Sequence, residues 1–191
     1  MKPDPANFPP TFATQRGAVL IMALMFLTLL TLMGVTAMTS SSSQEKMARA
    51  TRDYNTAFQA AEAALRDAEN DINGNGSRNP VFIGSAYWFD VPTRIPTLGA
   101  CANGACIPPA AGGTPVWQVA ANWTGTNAAT YGQYTFALAL PSTGSGGVGQ
   151  PARYMIEFIG TVGTQFAYRI TALGYGPNSV QTVMLQEEVL K

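Results

Sequence analysis

Few side chains in this chain could do chemistry, and their spacing restricts them further. No histidine occurs among the 191 residues, which removes the usual general acid-base group near neutrality and the commonest zinc ligand. Triads that depend on histidine are therefore excluded. The two cysteines, Cys101 and Cys106, stand in "CANGAC". A redox pair prefers C-x-x-C, and a metal site needs further ligands that this chain lacks. In an oxidising compartment these cysteines are expected to close a structural disulfide across Ala102 to Ala105, with Asn103-Gly104 making the turn.

Three other patterns have chemical counterparts. "DINGNG" from Asp71 opens like an EF-hand-type calcium loop, but its twelfth position is Phe82, where the bidentate Glu should stand. A helix cap followed by a polar turn is the expectation, with Glu69 as one nearby oxygen donor. "GSGGVG" from Gly144 to Gly149 satisfies G-x-G-x-x-G, whose glycines let backbone amides approach a pyrophosphate. That motif must open a helix, whereas Gln150-Pro151 and a strand-like "RYMIEFIG" follow here. A loop is expected instead. Glu187 and Glu188 alternate faces on a strand, which suits one exposed and one paired acid better than a catalytic dyad. No residue is assigned to catalysis, and neither cofactor nor metal is expected.

Charge gives little to a nucleic-acid partner, since 11 basic residues balance 11 acidic ones. The length allows one ordinary domain plus an anchor.

The elements that position these groups begin with the run from Ala18 to Met38, which has no charge and is interrupted only by three threonines and Gly34. It meets the requirement of about 20 residues for a spanning helix. Ahead of it, "MKPDPANFPPTFATQR" holds four prolines and cannot extend the helix. A secretory signal cut after Val35-Thr36-Ala37 is the alternative, but its apolar core is ordinarily about 7 to 15 residues, shorter than this run. Beyond "TSSSSQ", small or apolar residues recur at Met47, Ala50, Tyr54, Phe58, Ala61, Leu65, Ala68 and Ile72, one helical stripe. Glu45 with Arg49, Arg49 with Asp53, and Glu62 with Arg66 are spaced for i, i+4 pairing. One helix from Ala18 to Ile72 is predicted, on the order of 80 Å at 1.5 Å per residue, ended by "NGNG" from Asn73.

Past Ile72 the charge thins, and Gly, Pro, Thr and aromatics take over. Strands are predicted at Val81 to Phe89, Val116 to Trp123, Tyr134 to Leu140, Arg153 to Gly160, Gln165 to Gly174 and Val180 to Leu190. "TVGT" and "YGPNS" join the last three into a meander. Phe166, Tyr168, Ile170 and Ala172 give a half-buried face, against which Tyr54, Phe58, Ala61 and Leu65 can pack. The class is α+β: a long N-terminal helix, membrane half plus amphipathic half, on a small antiparallel sheet. Residues 1–17 read as a leader, 18–72 as the helix and 73–191 as a β-rich domain.

Arg16-Gly17, the uncharged run that follows at once, and the long amphipathic continuation resemble the class III leader and N-terminal helix of type IV pilins. "FQAAEAALRDAE" from Phe58 to Glu69 resembles the PilX-type minor pilins in particular. The resemblance implies a ladle-shaped fold, cleavage after Gly17 by a prepilin peptidase, and methylation of the new terminus at Ala18. The membrane helix containing Ala18, Met22, Gly34 and Met38 would then stay on the protein. It implies an inner-membrane single-pass chain with its domain in the periplasm before assembly, and a place in the pilus fibre afterwards. The implied partners are other minor and major pilins, the inner-membrane assembly platform, the peptidase and a large tip adhesin. A plain membrane anchor for a periplasmic domain remains the simpler alternative.

In most type IV pilins the fifth mature residue is Glu, which can neutralise the terminal amine of the subunit already in place; an unpaired ammonium in a low-dielectric layer is costly. Here that residue is Met22. Ala18 can offer the amine, but Met22 cannot offer the carboxylate. The resemblance thus implies a subunit that acts in initiation or at the tip, without catalysis. A tip pseudopilin of type II secretion is an alternative. So is a binding module using loops such as Cys101 to Trp123.

Overall fold

A computed structural model describes residues 17–74, 98–142 and 147–191. The predicted strand at Val81 to Phe89 lies outside them, as do residues 1–16 of the leader and parts of "DINGNG" and "GSGGVG". Contacts divide the chain into two units, Met1–Ala48 and Arg49–Lys191.

The helix α1 runs over Ala18–Ile72. Within the first unit every described residue is exposed, and this part of α1 is long and apolar enough to cross a membrane. Its threonines do not spoil that surface. The hydroxyls of Thr28, Thr31 and Thr36 donate to the carbonyls of Met25, Thr28 and Met33 at 2.8, 2.8 and 2.9 Å, so the helix satisfies its own polar groups.

In the second unit α1 becomes amphipathic and buries Ala57, Ala60, Ala61, Ala64, Leu65, Ala68 and Ile72. Of the four residues predicted to pack, Ala61 and Leu65 are buried, whereas Tyr54 and Phe58 are 48% and 39% exposed. The cause is the close approach of a strand. A Cβ on Gly174 would stand 2.1 Å from the Ala57 carbonyl oxygen and 2.4 Å from the Ala61 nitrogen. Only alanines fit beneath such an approach, and the aromatics are displaced to the outside. The predicted Glu62–Arg66 ion pair forms on the outer face.

The sheet joins β1 (Cys101–Ala102), β2 (Ala105–Cys106), β3 (Ala129–Thr130), β4 (Arg153–Val162), β5 (Gln165–Tyr175) and β6 (Thr182–Leu190). Its order is β1-β2-β4-β5-β6, with β3 also against β4. The last three strands form the predicted antiparallel meander, turned by Gly163 (φ 63°) and by the Gly176–Gln181 segment. The sheet is mixed rather than antiparallel throughout, because β2 runs parallel to β4. The intervening Ile107–Ala152 segment makes the long connection that a parallel neighbour requires.

Two predicted strands are absent. Over Val116 to Trp123 the chain makes two 3-10 turns, Val116–Gln118 and Ala120–Trp123. The Asn122 amide and the Trp123 indole donate to the carbonyls of Val116 and Trp117 at 2.9 and 2.8 Å. These side chains occupy acceptors that a strand would give to its neighbour. Tyr134 to Leu140 is irregular: Phe136 adopts φ 61°, and Thr135 Oγ1 donates to Asp67 on α1.

Both faces of the central strands are covered, so β5 is more buried than its alternation suggested. On one face Tyr154, Ile156, Tyr168, Ile170 and Ala172 pack with the alanines of α1. On the other, Met155 lies among Cys101, Cys106, Val116, Trp123 and Ala128.

Candidate functional site: the N-terminal helix

Gly17 is an exposed turn residue, and α1 begins at Ala18. The proposed scissile bond thus lies where the helix starts. Met22 is 63% exposed and Met38 is 77% exposed. Gly34 has nothing within 4 Å of the point where a Cβ would lie. The described residues of this segment are exposed, and from Ala18 to Met38 they carry no charge.

The groups of a type that carries chemistry are otherwise engaged. Cys101 and Cys106 form the expected disulfide, and Cys106 is fully buried. Their hairpin turns at Asn103 (φ 53°) and Gly104 (φ 81°), the pair of left-handed residues that a tight two-residue hairpin demands. Asp71, the first position of the calcium-like motif, is 1% exposed and accepts the Tyr154 hydroxyl at 2.9 Å. It points into the core, and among the described residues no group of three metal-binding side chains occurs. Gly74 (φ 78°) turns the chain after Ile72 as the helix-cap reading requires. Val148 and Gly149 of the glycine-rich stretch bond to Pro141 and Gly176, and the strand β4 follows rather than a helix.

Glu187 and Glu188 do take opposite faces. Glu188 bonds to Arg169 at 3.1 Å, whereas Glu187 faces α1 and shares a hydrogen bond with Glu69. Burial, followed by the Glu69 charge and that hydrogen bond, pushes the Glu187 carboxyl above its ordinary range. A cleft of about 420 Å³ runs beside Gln59, Glu62, Arg66, Asn70 and Tyr131. Its acids are occupied: Glu62 by Arg66, and Asp67 by the Gly132 amide at 2.7 Å and the Thr135 hydroxyl.

Sequence reasoning missed Asp67 as the brace of the 131–137 loop. It also missed Lys191, whose ammonium donates to the Ile72 carbonyl and so caps α1. Asp67 left a signal, since a charge stands beside Ala68 at the edge of the apolar stripe. Lys191 left none, because its partner lies far away in sequence.

A chain with an apolar, membrane-competent first helix whose later turns build an α+β domain on a small sheet has a pilin-like fold. Residues 16–66 match the family described as PilX N-terminal, and this match supports a type IV pilin of the PilX type. No curated protein and no solved structure matches the chain. Pilins of this type are structural subunits, and the matched segment ends before the sheet begins.

Proposed function

We propose that this minor pilin of the type IV pilus acts in initiation or at the fibre tip, by helix packing and subunit contacts. The observation that carries this reading is Met22, at the fifth position of the helix that begins at Ala18, within the PilX-type segment. A chain without a carboxylate there can receive the Glu of a following subunit at its Ala18 amine but has nothing to give a predecessor. Cleavage after Gly17 and methylation of Ala18 generate that amine. The partners on this reading are other minor and major pilins, the prepilin peptidase, the inner-membrane platform and a large tip adhesin. The chain waits in the inner membrane with its domain in the periplasm before it enters the fibre.

The test is Met22→Glu in the producing cell, with fibres counted by electron microscopy. Fewer fibres, or the variant spread along shafts, is the expected outcome; unchanged initiation and unchanged fibre number remove the physical basis of the tip reading. Mass spectrometry of the mature terminus tests the preceding step. Methylated Ala18 is expected, whereas an intact Met1 or a cut after Ala37 refutes processing of the pilin kind.

A further inference from the structure

Glu157 lies in the middle of β4 on the face away from α1, is 2% exposed, and has an Oε2 with no hydrogen-bond partner. A buried polar atom without a partner is rare in native structures. Its neighbour across the sheet on one side is Arg169 of β5, and on the other Cys106 of β2. The Arg169 guanidinium binds Glu188 at 3.1 Å on β6, while its charge also acts on Glu157. Two residues along β4, Met155 is enclosed by Cys101, Cys106, Val116, Trp123 and Ala128.

Among the described residues the other charges around this face are few. From β5 and β6 there are Arg169 and Glu188. Arg153 binds the Gly125 carbonyl at 3.0 Å and stands with Tyr175 toward the far end of the same face. The segment from Leu98 to Thr130, which includes β1, β2 and both 3-10 turns, contains no acid, base or tyrosine. The acids of α1 belong to the opposite face. Nothing in that covering segment can neutralise a carboxylate. A backbone bond ties it to β4 instead, Ile156 donating to the Gly104 carbonyl at 2.7 Å, while within the segment Asn103 and Gly104 donate to Thr126 and Asn127 at 2.6 and 2.8 Å.

We propose that Glu157 is a proton-operated switch for the disulfide hairpin: neutral, it lets the hairpin lie closed along β4, and ionised, it draws in water and loosens the hairpin with the cluster around Met155. Burial pushes the Glu157 carboxyl above its ordinary range, with Arg169 opposing that shift. A carboxyl raised in the closed state favours closure at low pH, and that preference is lost as pH rises through the raised value. The switch is independent of the fibre role proposed above.

The buried disulfide supplies the readout, since Cys101 is 8% exposed and Cys106 0% exposed, and a reductant reaches them only when the hairpin opens. The full-length chain in detergent is treated with a water-soluble phosphine from pH 5 to 8, and reduction is followed by mass spectrometry. The rate relative to Glu157→Gln, which cancels the reagent's own pH dependence, is expected to rise severalfold across this range. A ratio that stays constant across this range overturns the proposal, because Glu157 then holds the same charge open and closed. A second measurement needs no variant. Hydrogen exchange in the wild type should show the amides of Gly104 and Ile156 losing protection selectively as pH rises, relative to those of the β5–β6 ladder; uniform loss overturns the proposal too.

Discussion

Replacing Gly174 with alanine should be among the most damaging single-methyl changes in this chain. Gly174 lies on β5 across from Val183, and an added Cβ would stand 2.1 Å from the Ala57 oxygen, 2.4 Å from the Ala61 nitrogen and 2.9 Å from the Ala61 Cα. All three are backbone atoms, so no rotamer change relieves the clash, and α1 must move away from the sheet. Overpacking of a core ordinarily costs about 1–3 kcal/mol. Three backbone contacts this short put Gly174→Ala at the upper end, about 3 kcal/mol, or a fall of about 6–12 °C in Tm for a domain of this size. The assay is thermal unfolding of the full-length chain in detergent, followed by near-ultraviolet circular dichroism. Gly34→Ala is the control, since nothing lies within 4 Å of its added methyl and the residue is helical. A Gly174→Ala protein that melts within about 1 °C of the wild type would show that α1 does not pack as closely as described, and would refute the reasoning.

The remaining predictions concern polar and covalent ties. Asp67→Ala strips the acceptor from the Gly132 amide and the Thr135 hydroxyl, and should cost about 3 kcal/mol, read as a lower denaturant midpoint and faster exchange of the Gly132 amide. Replacing Cys101 and Cys106 together by serine should cost about 2 kcal/mol by the loop-entropy argument; equal urea midpoints with and without the bond would contradict it. For Glu187 the folded value is the raised one, so its contribution is present at low pH and is lost as pH climbs upward from the ordinary 4.5. Thermal melts against Glu187→Gln should therefore show the wild type losing ground as pH rises; a difference that stays flat with pH would contradict it.

Legibility followed the range of the forces involved. The membrane-competent run, the amphipathic continuation and the stop at Ile72 are set by neighbours along the chain. Their bounds in the structure match those read from the residues. The β4–β5–β6 meander was equally visible, because short turns such as Gly163-Thr164 force adjacent strands together. The "CANGAC" disulfide is local in the same sense.

Contacts between distant segments decided the rest. Tyr54 and Phe58 belong to the apolar stripe, yet Gly174, far along the chain, selected Ala57 and Ala61 for the interface. Val116 to Trp123 has a strand's composition, but Asn122 and Trp123 spend its carbonyls on side-chain bonds. Glu157 looked like one of a few scattered charges until the sheet, the hairpin and an ion-free covering segment buried it. By itself the sequence determined the helix, its membrane-competent half and the residue at its fifth position, because composition and short-range periodicity suffice for these. Only the tertiary structure decided which face of that helix packs and which acid is left unpaired, since both depend on backbone and side chains that meet across long stretches of chain.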